Sequence, residues 1–431
     1  MISENAIAVE QLQVGLYIHL DLSWLDHPFS LNSFKICTED QIQTIRKLGL
    51  KTVRWNPTRS DTAPRPITTL SDGTKTRDTV SEEVVTPIKT DPALISLKQA
   101  RIQRLAEHRQ RIAQVEREFA RAAKVVRSLN ETLFALPEKA LSDATELVRG
   151  MSQTLLAAPE LAIHLMSEAN SYEDAYSHPL NVAVLAMLLG KQVELPEELI
   201  KELGIGALFH DVGLSRVPSK IVKNNGLLKK SEREFFELHC QYGEEMAREA
   251  GFPKHTQTII YQHHEHFDGT GYPQQLKGEE IDPLARIVAL ANAFDSLCNP
   301  VHQSNGLTPH EALAQMFSVY RSRFDPQLLN IFIHFMGIYP VGSLVCLSNG
   351  DWGMVISVRP SMPLRPTVVV YDPSVPKREA IVLDLAEDHE VNISEAVRPE
   401  KLPPSVYDYL SPKPRTSYYF DSGYQPGTPK L

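Results

Sequence analysis

The chain has 431 residues, a formal net charge of −9 and 42% hydrophobic residues, which together indicate roughly two to four soluble domains. The acidic balance argues against a general surface for nucleic-acid polymers, because such a surface needs a basic stripe. A phosphate-bearing substrate stays open, since bound metal ions can reverse the local field. The four cysteines are dispersed without a CxxC pair, which favours free thiols in a reducing compartment.

Signals for export or membrane insertion are not evident in the sequence. The opening residues, MISENAIAVEQLQVG, lack both a basic start and an apolar run. No stretch approaches the ~20 apolar residues of a membrane span. We therefore expect a cytoplasmic protein without a membrane span.

Residues 1–55 are predicted to form a small N-terminal α/β domain. The alternation from Val14 to Leu20 is typical of a strand, and Thr52 to Trp55 fits a second one. Glu39 to Leu48 has helical spacing, with Thr38 placed to cap its first turn. The pattern predicts a fold for this domain but names no ligand.

Two connecting segments follow. Residues 56–92 are rich in Thr, Pro, Ser and charge, which is typical of a flexible linker. Residues 93–136 contain neither Gly nor Pro and present an apolar face at helical spacing, which predicts one long amphipathic helix. This helix either pairs with a second copy in a homodimer or lies on the domain that follows it; the sequence leaves both open.

Residues 137–337 form the largest predicted domain, and its pattern is helical throughout, without a convincing strand. The helical segments are Leu161–Ala169, Pro179–Lys191, Pro196–Phe209, Ser231–Ala250, Leu284–Leu297, Pro309–Val319 and Pro326–Met336. The fold class is thus multidomain, with a central all-α domain.

The pattern changes after residue 337. Residues 338–400 contain short runs rich in β-branched residues, punctuated by prolines and by Asn349-Gly350-Asp351, which predicts a small β module. Residues 401–431 are rich in Pro, Tyr and Ser and are expected to form a loose tail.

Histidines are concentrated in the all-α domain, at the ends of apolar runs. His210-Asp211 follows the run from Ile205 to Phe209, His178 precedes the run from Val182 to Leu189, and His239 and His263-His264 lie in further helical segments. A single helical histidine is usually a satisfied or surface residue. Polar residues repeated at the ends of buried helices are costly unless they pair or bind metal, and helical bundles build metal sites from such facing side chains.

The residue types favour one kind of chemistry. Imidazoles with carboxylate oxygens suit Fe, Mn, Ni or Zn better than Mg or Ca. An aspartate can bridge two ions, and paired ions stabilise both oxygens of an in-line phosphoryl displacement. Phosphodiester hydrolysis is a natural use of such a centre.

Two motifs carry a resemblance to a known family. The doublet His210-Asp211 with upstream His178 resembles the HD phosphohydrolase superfamily. Residues 263–273, HHEHFDGTGYP, closely resemble the HHE–DGxGYP signature of HD-GYP domains. The resemblance covers residues 137–337, and the N-terminal domain resembles the domain of unknown function that often precedes HD-GYP domains in proteobacteria.

The resemblance implies a metal-dependent phosphodiesterase that converts cyclic di-GMP to pGpG or GMP with metal-activated water in bacterial second-messenger signalling. It implies two or three divalent ions, with Fe or Mn favoured among transition metals. By position, six residues match the family's metal ligands: His178, His210, Asp211, His239, His263 and His264, with His210 and Asp211 at the catalytic centre. Asn292 stands at the position of a further ligand. The implied substrate-side residues are Asp268, Gly269, Gly271, Tyr272, Pro273, Arg286 and Asp295. The two glycines are expected to allow positive φ and a close approach of the backbone.

Three departures from the family pattern concern charge. Leu214 stands where the family has a lysine that contacts phosphate, and Asn292 stands where it has a metal-binding aspartate. The stretch CNPVHQSNGL at residues 298–307 lacks the family's basic groups. Asp295, one turn after Asn292, either substitutes for it in part or serves as a supporting hydrogen-bond acceptor. Arg286 is either a compensating substrate contact or part of a salt bridge.

Two functions follow from this balance. The first is an active cyclic di-GMP phosphodiesterase, which the six matched ligands favour. The second is a degenerate HD-GYP protein that acts as a nucleotide-binding or protein-interaction regulator, for example with a diguanylate cyclase, which the missing cations favour. Hydrolysis of another nucleotide is a third, weaker interpretation.

Overall fold

The computed structural model describes residues 5–22, 32–66, 117–129, 135–157, 162–165, 174–224, 228–300, 306–359, 361–373, 375–377, 380–388, 391–410 and 418–421, with positions 27, 29, 103, 110 and 132. The chain divides into two compact units. One comprises Met1–His108 and Asp372–Ile381, and the other comprises Arg109–Tyr371 and Val382–Leu431. No helix in the described part of the chain is both long and apolar enough to cross a membrane.

The N-terminal unit is a small antiparallel sheet with one helix. Its elements are β1 (Asn5–Ala8), β2 (Tyr17–His19), β3 (Ser33–Lys35), α1 (Glu39–Lys47) and β4 (Thr52–Trp55), and the sheet order is β1-β4-β2-β3. The predicted cap is present, because Thr38 Oγ1 accepts a hydrogen bond from Gln41 N and Gln41 Oε1 accepts one from Thr38 N. Leu16, Ile18 and Ile42 are fully buried in the core. The α/β prediction is confirmed.

The second unit contains the helical domain. Its helices are α2 (Pro137–Ala157), α3 (Asp174–Gln192), α4 (Glu197–Phe209), α5 (Ser219–Val222), α6 (Lys230–Glu237), α7 (His239–Glu249), α8 (Lys254–Gln262), α9 (Pro283–Cys298), α10 (Pro309–Ser318) and α11 (Pro326–Met336). Helix α3 is its centre: every residue from Val182 to Leu189 is fully buried, as the apolar run predicts. Helices α4 and α9 pack on α3, and α8 packs on α4 and α7.

Residues 162–165 differ from the sequence prediction, which places them in a helix. They form β5 (Ala162–Leu165), which pairs antiparallel with β7 (Trp352–Val358) and β11 (Tyr418–Asp421). The reason is tertiary. Strand pairing satisfies the backbone N–H and C=O groups of a segment too short to be a stable helix alone, and its partners lie far along the chain.

The C-terminal part of this unit is the predicted β module. Its strands are β6 (Leu344–Leu347), β7, β8 (Thr367–Val370), β9 (Ile381–Asp384) and β10 (Ile393–Val397), and the sheet order is β10-β6-β7-β5-β11, with β8 also paired to β7.

The prediction of a loose tail at residues 401–431 is wrong for the part of this segment that the structure describes. α12 (Pro404–Leu410) and β11 fall inside residues 401–431. Val406 and Leu410 are buried against Leu344 and Val397 of the sheet, so burial of apolar surface orders this helix despite its Pro-rich flanks.

The predicted long helix at residues 93–136 is described only in part. Residues 117–129 are helical, and Phe119, Ala122 and Val126 on their apolar face are buried within the single chain. This burial favours a helix that packs on its own chain in this portion. Most of residues 93–116 and the linker from residue 67 to residue 92 lie outside the described residues.

Candidate metal centre

The six side chains matched as metal ligands converge at one point of the helical domain. His178 lies in α3, His210-Asp211 follow α4, His239 opens α7, and His263-His264 follow α8. They form two groups that share one aspartate. The first group is Asp211, His239, His263 and His264; the second is His178, His210 and Asp211. Within each group the candidate ligand atoms lie within 4.8 Å of one another.

The shared carboxylate of Asp211 turns one oxygen toward each group. Oδ1 lies 3.6 Å from His239 Nε2 and 3.5 Å from His263 Nε2. Oδ2 lies 3.3 Å from His210 Nε2 and 3.9 Å from His178 Nε2. This is the arrangement a carboxylate needs to bridge two ions.

Backbone carbonyls orient three of the imidazoles. Nδ1 of His210, His239 and His263 lies 2.8, 2.7 and 2.8 Å from the carbonyl oxygen three residues earlier. A carbonyl only accepts, so Nδ1 carries the proton and the Nε2 lone pair faces Asp211. The Nε2 atom of His210 is buried and has no hydrogen-bond partner, which fits an ion as its missing partner.

Burial also sets the protonation states that metal binding requires. It lowers the pKa of His239, lowers that of His263 to about 4 and holds that of His264 well below its usual range. Burial acts to raise the pKa of Asp211, but its electrostatic interactions with His210, His263 and His239 outweigh burial and hold it well below its usual range. Neutral imidazoles and an ionised carboxylate are the forms that ligate metal.

His178 is oriented by a carboxylate. Its Nδ1 lies 2.6 Å from Oδ2 of Asp295, which is fully buried. The other oxygen of Asp295 accepts hydrogen bonds from Nδ2 of Asn181 at 2.8 Å and of Asn299 at 2.9 Å. Burial lowers the pKa of His178, but Asp295 and Asp211 outweigh it and raise the pKa above its ordinary value.

These contacts correct the placement of Asp295 among substrate-side residues. Both of its oxygens are engaged inside the protein, so Asp295 is the supporting acceptor of the two alternatives. Asn292 is buried one turn earlier on α9, where it contributes to the raised pKa of His178, and its Oδ1 accepts a hydrogen bond from Ser296 Oγ at 3.2 Å. Asn292 thus lies beside the second group, and its role as a ligand stays a prediction.

The loop that contains Gly271-Tyr272-Pro273, residues 268–276 and hereafter the GYP loop, lies against the first group. Tyr272 N donates to His264 O at 3.1 Å, and the two rings stack with centroids 4.6 Å apart; Pro273 follows through a cis peptide bond. Gly269 has the expected positive φ of 82°. Gly271 does not have a positive φ; instead, a Cβ there would lie 2.2 Å from the backbone nitrogen of His266. The backbone of His264 and His266 lies so close to position 271 that only glycine fits there.

Asp268 and Arg286, expected near the substrate, have partners within the protein. Asp268 Oδ1 accepts hydrogen bonds from Thr270 N and Oγ1 at 3.0 and 2.6 Å, and Oδ2 accepts one from Ser322 Oγ at 2.8 Å. Arg286 Nη1 lies 2.8 Å from Asp325 Oδ2, which is the salt-bridge alternative. A local sequence pattern cannot show Ser322 or Asp325 as partners, because both lie in other segments of the chain.

Two further residues shape the site although the sequence analysis does not single them out. Glu265 is 2% exposed, and its two oxygens accept hydrogen bonds from Gln274 N at 2.6 Å and Leu276 N at 3.0 Å, which holds the GYP loop. Gly213 allows the turn after Asp211 to touch α7, since a Cβ there would lie 1.9 Å from His239 O. Glu265 lies in the HHE signature, and Gly213 comes two residues after the His210-Asp211 doublet. This proximity to the motifs is the sequence signal that could have identified both residues.

A mostly helical domain with five histidines around a shared aspartate is typical of the HD class of metal-dependent hydrolases. Comparison with known families agrees: residues 135–328 match the HD domain, residues 5–144 match a domain of unknown function, DUF3391, and residues 344–404 match a KOW domain associated with the HD domain.

The chain is 30% identical over 378 residues to a cyclic di-GMP phosphodiesterase of Pseudomonas aeruginosa, a match that covers 85% of this chain and 84% of the relative. It is also 30% identical over 150 residues to a 3'3'-cGAMP-specific phosphodiesterase of Vibrio cholerae, covering 35% and 33% of the two chains. Among solved structures, an HDG"Y"P protein of Bdellovibrio bacteriovorus matches with a TM-score of 0.40 and 16% identity, over 77% of this chain and 98% of that one. The chain belongs to the HD-GYP family.

Proposed function

We propose that this protein is a metal-dependent phosphodiesterase that hydrolyses cyclic di-GMP to pGpG and GMP. The observation that carries the proposal is the position of Asp211, whose two oxygens each face one group of histidines. Two ions bridged by a carboxylate are the arrangement used for in-line displacement at phosphorus. The similarity to the Pseudomonas aeruginosa phosphodiesterase over most of both chains supports the choice of substrate.

The protein's own residues prepare the site for this chemistry. Bound metal ions would supply a hydroxide nucleophile near neutral pH and neutralise charge on phosphate oxygens. The backbone carbonyls fix the imidazoles with Nε2 inward, so the ligands need no reorganisation. Burial raises the pKa of Tyr272 well above its usual range, so its hydroxyl keeps its proton and can donate a hydrogen bond to the nucleotide.

The donor set supports a choice of metal. Five imidazoles and a carboxylate suit Fe or Mn, with other transition metals as alternatives. The two groups account for two ions, and a third stays a prediction. A homodimer, a diguanylate cyclase or other regulatory partner, and a cytoplasmic location also stay predictions.

An assay of His210→Ala tests the proposal. The protein is purified anaerobically and loaded with Fe²⁺ or Mn²⁺, and conversion of cyclic di-GMP to pGpG and GMP is followed by chromatography, with 3'3'-cGAMP as a competing substrate. We expect kcat to fall by more than about 100-fold, beyond the usual effect of losing an outer-shell partner.

His255→Ala is the matched control, because His255 is an exposed histidine of α8 whose nearest partner is Asp282, at 3.3 Å. It should leave kcat unchanged. Absence of turnover by the unmodified protein with every metal tried, or His210→Ala equal to it, would contradict the proposal and favour the degenerate regulator.

A further inference from the structure

The two ligand groups on either side of Asp211 are unequal. The first adds three imidazoles, from His239, His263 and His264, to one carboxylate oxygen. The second adds only His178 and His210 to the other oxygen. The side chain next to the second group is Asn292, an amide that brings no charge. The first site thus offers four protein donors, and the second offers three charged or imidazole donors and at most a neutral fourth.

The second group has a compensating feature that the first lacks. His210, His239 and His263 donate Nδ1–H to backbone carbonyls, whereas His178 donates to the buried carboxylate of Asp295. A carboxylate partner makes an imidazole a more basic ligand than a carbonyl partner does. Asp295 therefore brings into this half of the centre, through His178, the negative charge that Asn292 lacks.

The surroundings of Asp295 require a carboxylate. Three donors point at it: His178 Nδ1, Asn181 Nδ2 and Asn299 Nδ2. An amide at this position cannot accept from all three. If its nitrogen faced His178, it would donate to Nδ1 and shift the imidazole proton to Nε2, the nitrogen that faces Asp211. If its nitrogen faced the two asparagines, it would oppose their donors.

We infer that the metal centre is asymmetric: the site of Asp211, His239, His263 and His264 binds its ion tightly, and the site of His178 and His210 binds its ion weakly and depends on Asp295 as a positioning residue. The inference rests on the proposed two-metal function. It adds a prediction of which of the two ions exchanges more readily with the solution. A centre of this kind holds one resident ion and loads the second as the free divalent metal concentration rises.

Metal titration measures the asymmetry without using activity. The full-length protein is stripped with chelator and titrated anaerobically with Mn²⁺, and bound and free ion are followed by calorimetry and by electron paramagnetic resonance. We expect two steps with dissociation constants at least about tenfold apart. The spectrum of an exchange-coupled pair should appear only during the second step.

Two variants assign the steps. Asp295→Asn should weaken the second step about 10–100-fold and leave the first unchanged, the usual range for outer-shell partners. Asn292→Asp should strengthen the second step and bring the two closer. Asp282→Asn is the matched control, because Asp282 caps the first turn of the same helix and an asparagine can keep that cap. It should leave both steps unchanged.

Each outcome decides. Two equal steps in the unmodified protein would overturn the asymmetry, and an Asp295→Asn titration that matches the unmodified protein would overturn the positioning role of Asp295. In either case, turnover of cyclic di-GMP would leave the proposed function intact. If Asp295→Asn does not fold, an Asn292→Asp protein whose second step is no tighter overturns it instead. A protein that binds no Mn²⁺ and turns over no substrate would reject both the inference and the proposed function.

Discussion

The GYP loop and the turn after Asp211 border the same metal centre but are built differently. The loop is held by its own contacts: Glu265 accepts two of its backbone N–H groups, and Asp268 ties Thr270 to Ser322. The turn, Val212–Arg216, is packed just as closely, because Gly213 lies directly against the backbone of His239. The difference lies in charge, because the turn presents Leu214 where the family has a lysine.

This comparison separates two things that a family signature combines. One is the shape that brings ligands and loop together, which this chain keeps on both sides of the centre. The other is the positive charge that the family resemblance predicts for binding substrate phosphate, which Leu214 does not bring. Variants of the loop should therefore act through geometry and affect kcat, whereas variants of the turn should act through charge and affect KM.

Gly271→Ala should have the largest effect. Its Cβ would lie 2.2 Å from His266 N and 2.5 Å from His264 O, and neither backbone atom can move without shifting the candidate metal ligand His264. We expect a cost of about 3 kcal/mol or more. This should appear as a loss of kcat of at least about 100-fold and a lower melting temperature, measured by turnover and differential scanning calorimetry.

Gly269→Ala in the same loop is the control. Its Cβ would meet nothing closer than 3.7 Å, so only the positive φ of 82° opposes it, at a cost of about 1–2 kcal/mol. If the two alanine variants proved equally active, close packing at Gly271 would not be what shapes the site.

Sequence motifs predict which side chains come together at the candidate metal centre, because several of them lie at the ends of apolar runs that the core must bury. His178, His210 and His263 could be placed without knowing which helices touch. The roles of Asp295 and Arg286 could not be decided in this way. Their partners, His178 on α3 and Asp325 at the start of α11, lie on other elements, and only packing brings them together.

The fold shows the same limit. The helical domain and the β module follow from periodicity, and both predictions are confirmed. Strand β5 and helix α12 do not follow, because a short segment takes its structure from a distant partner: β7 for the first, and the apolar face around Leu344 for the second. The basic motif expected at residues 298–307 is replaced by CNPVHQSNGL, of which residues 301–305, with His302, lie outside the described residues.

Glu265→Gln should have an intermediate effect on the loop. One acceptor oxygen becomes an amide nitrogen facing the backbone N–H of Gln274 or Leu276, at a cost of about 1.5–3 kcal/mol for a lost charged hydrogen bond. We expect faster hydrogen exchange at those two amides and a kcat about tenfold lower. Glu279→Gln, an exposed glutamate nearby, should change neither. Unchanged exchange in Glu265→Gln would show that other contacts hold the loop.

Leu214→Lys should have the smallest effect, and it should improve substrate binding, whereas the other variants impair the enzyme. The side chain is half-buried in the turn next to Asp211, and an ammonium there adds a charged contact to substrate phosphate worth up to about 1.5–3 kcal/mol. Because the position is partly exposed, we expect KM for cyclic di-GMP to fall by only about tenfold, with kcat unchanged. Ser215→Lys adds the same charge at the exposed neighbouring residue and should alter KM much less. An equal fall in KM for both variants would mean that general attraction, rather than a contact at this turn, governs substrate binding, and a rise in KM for Leu214→Lys would show that the apolar side chain itself contacts the nucleotide.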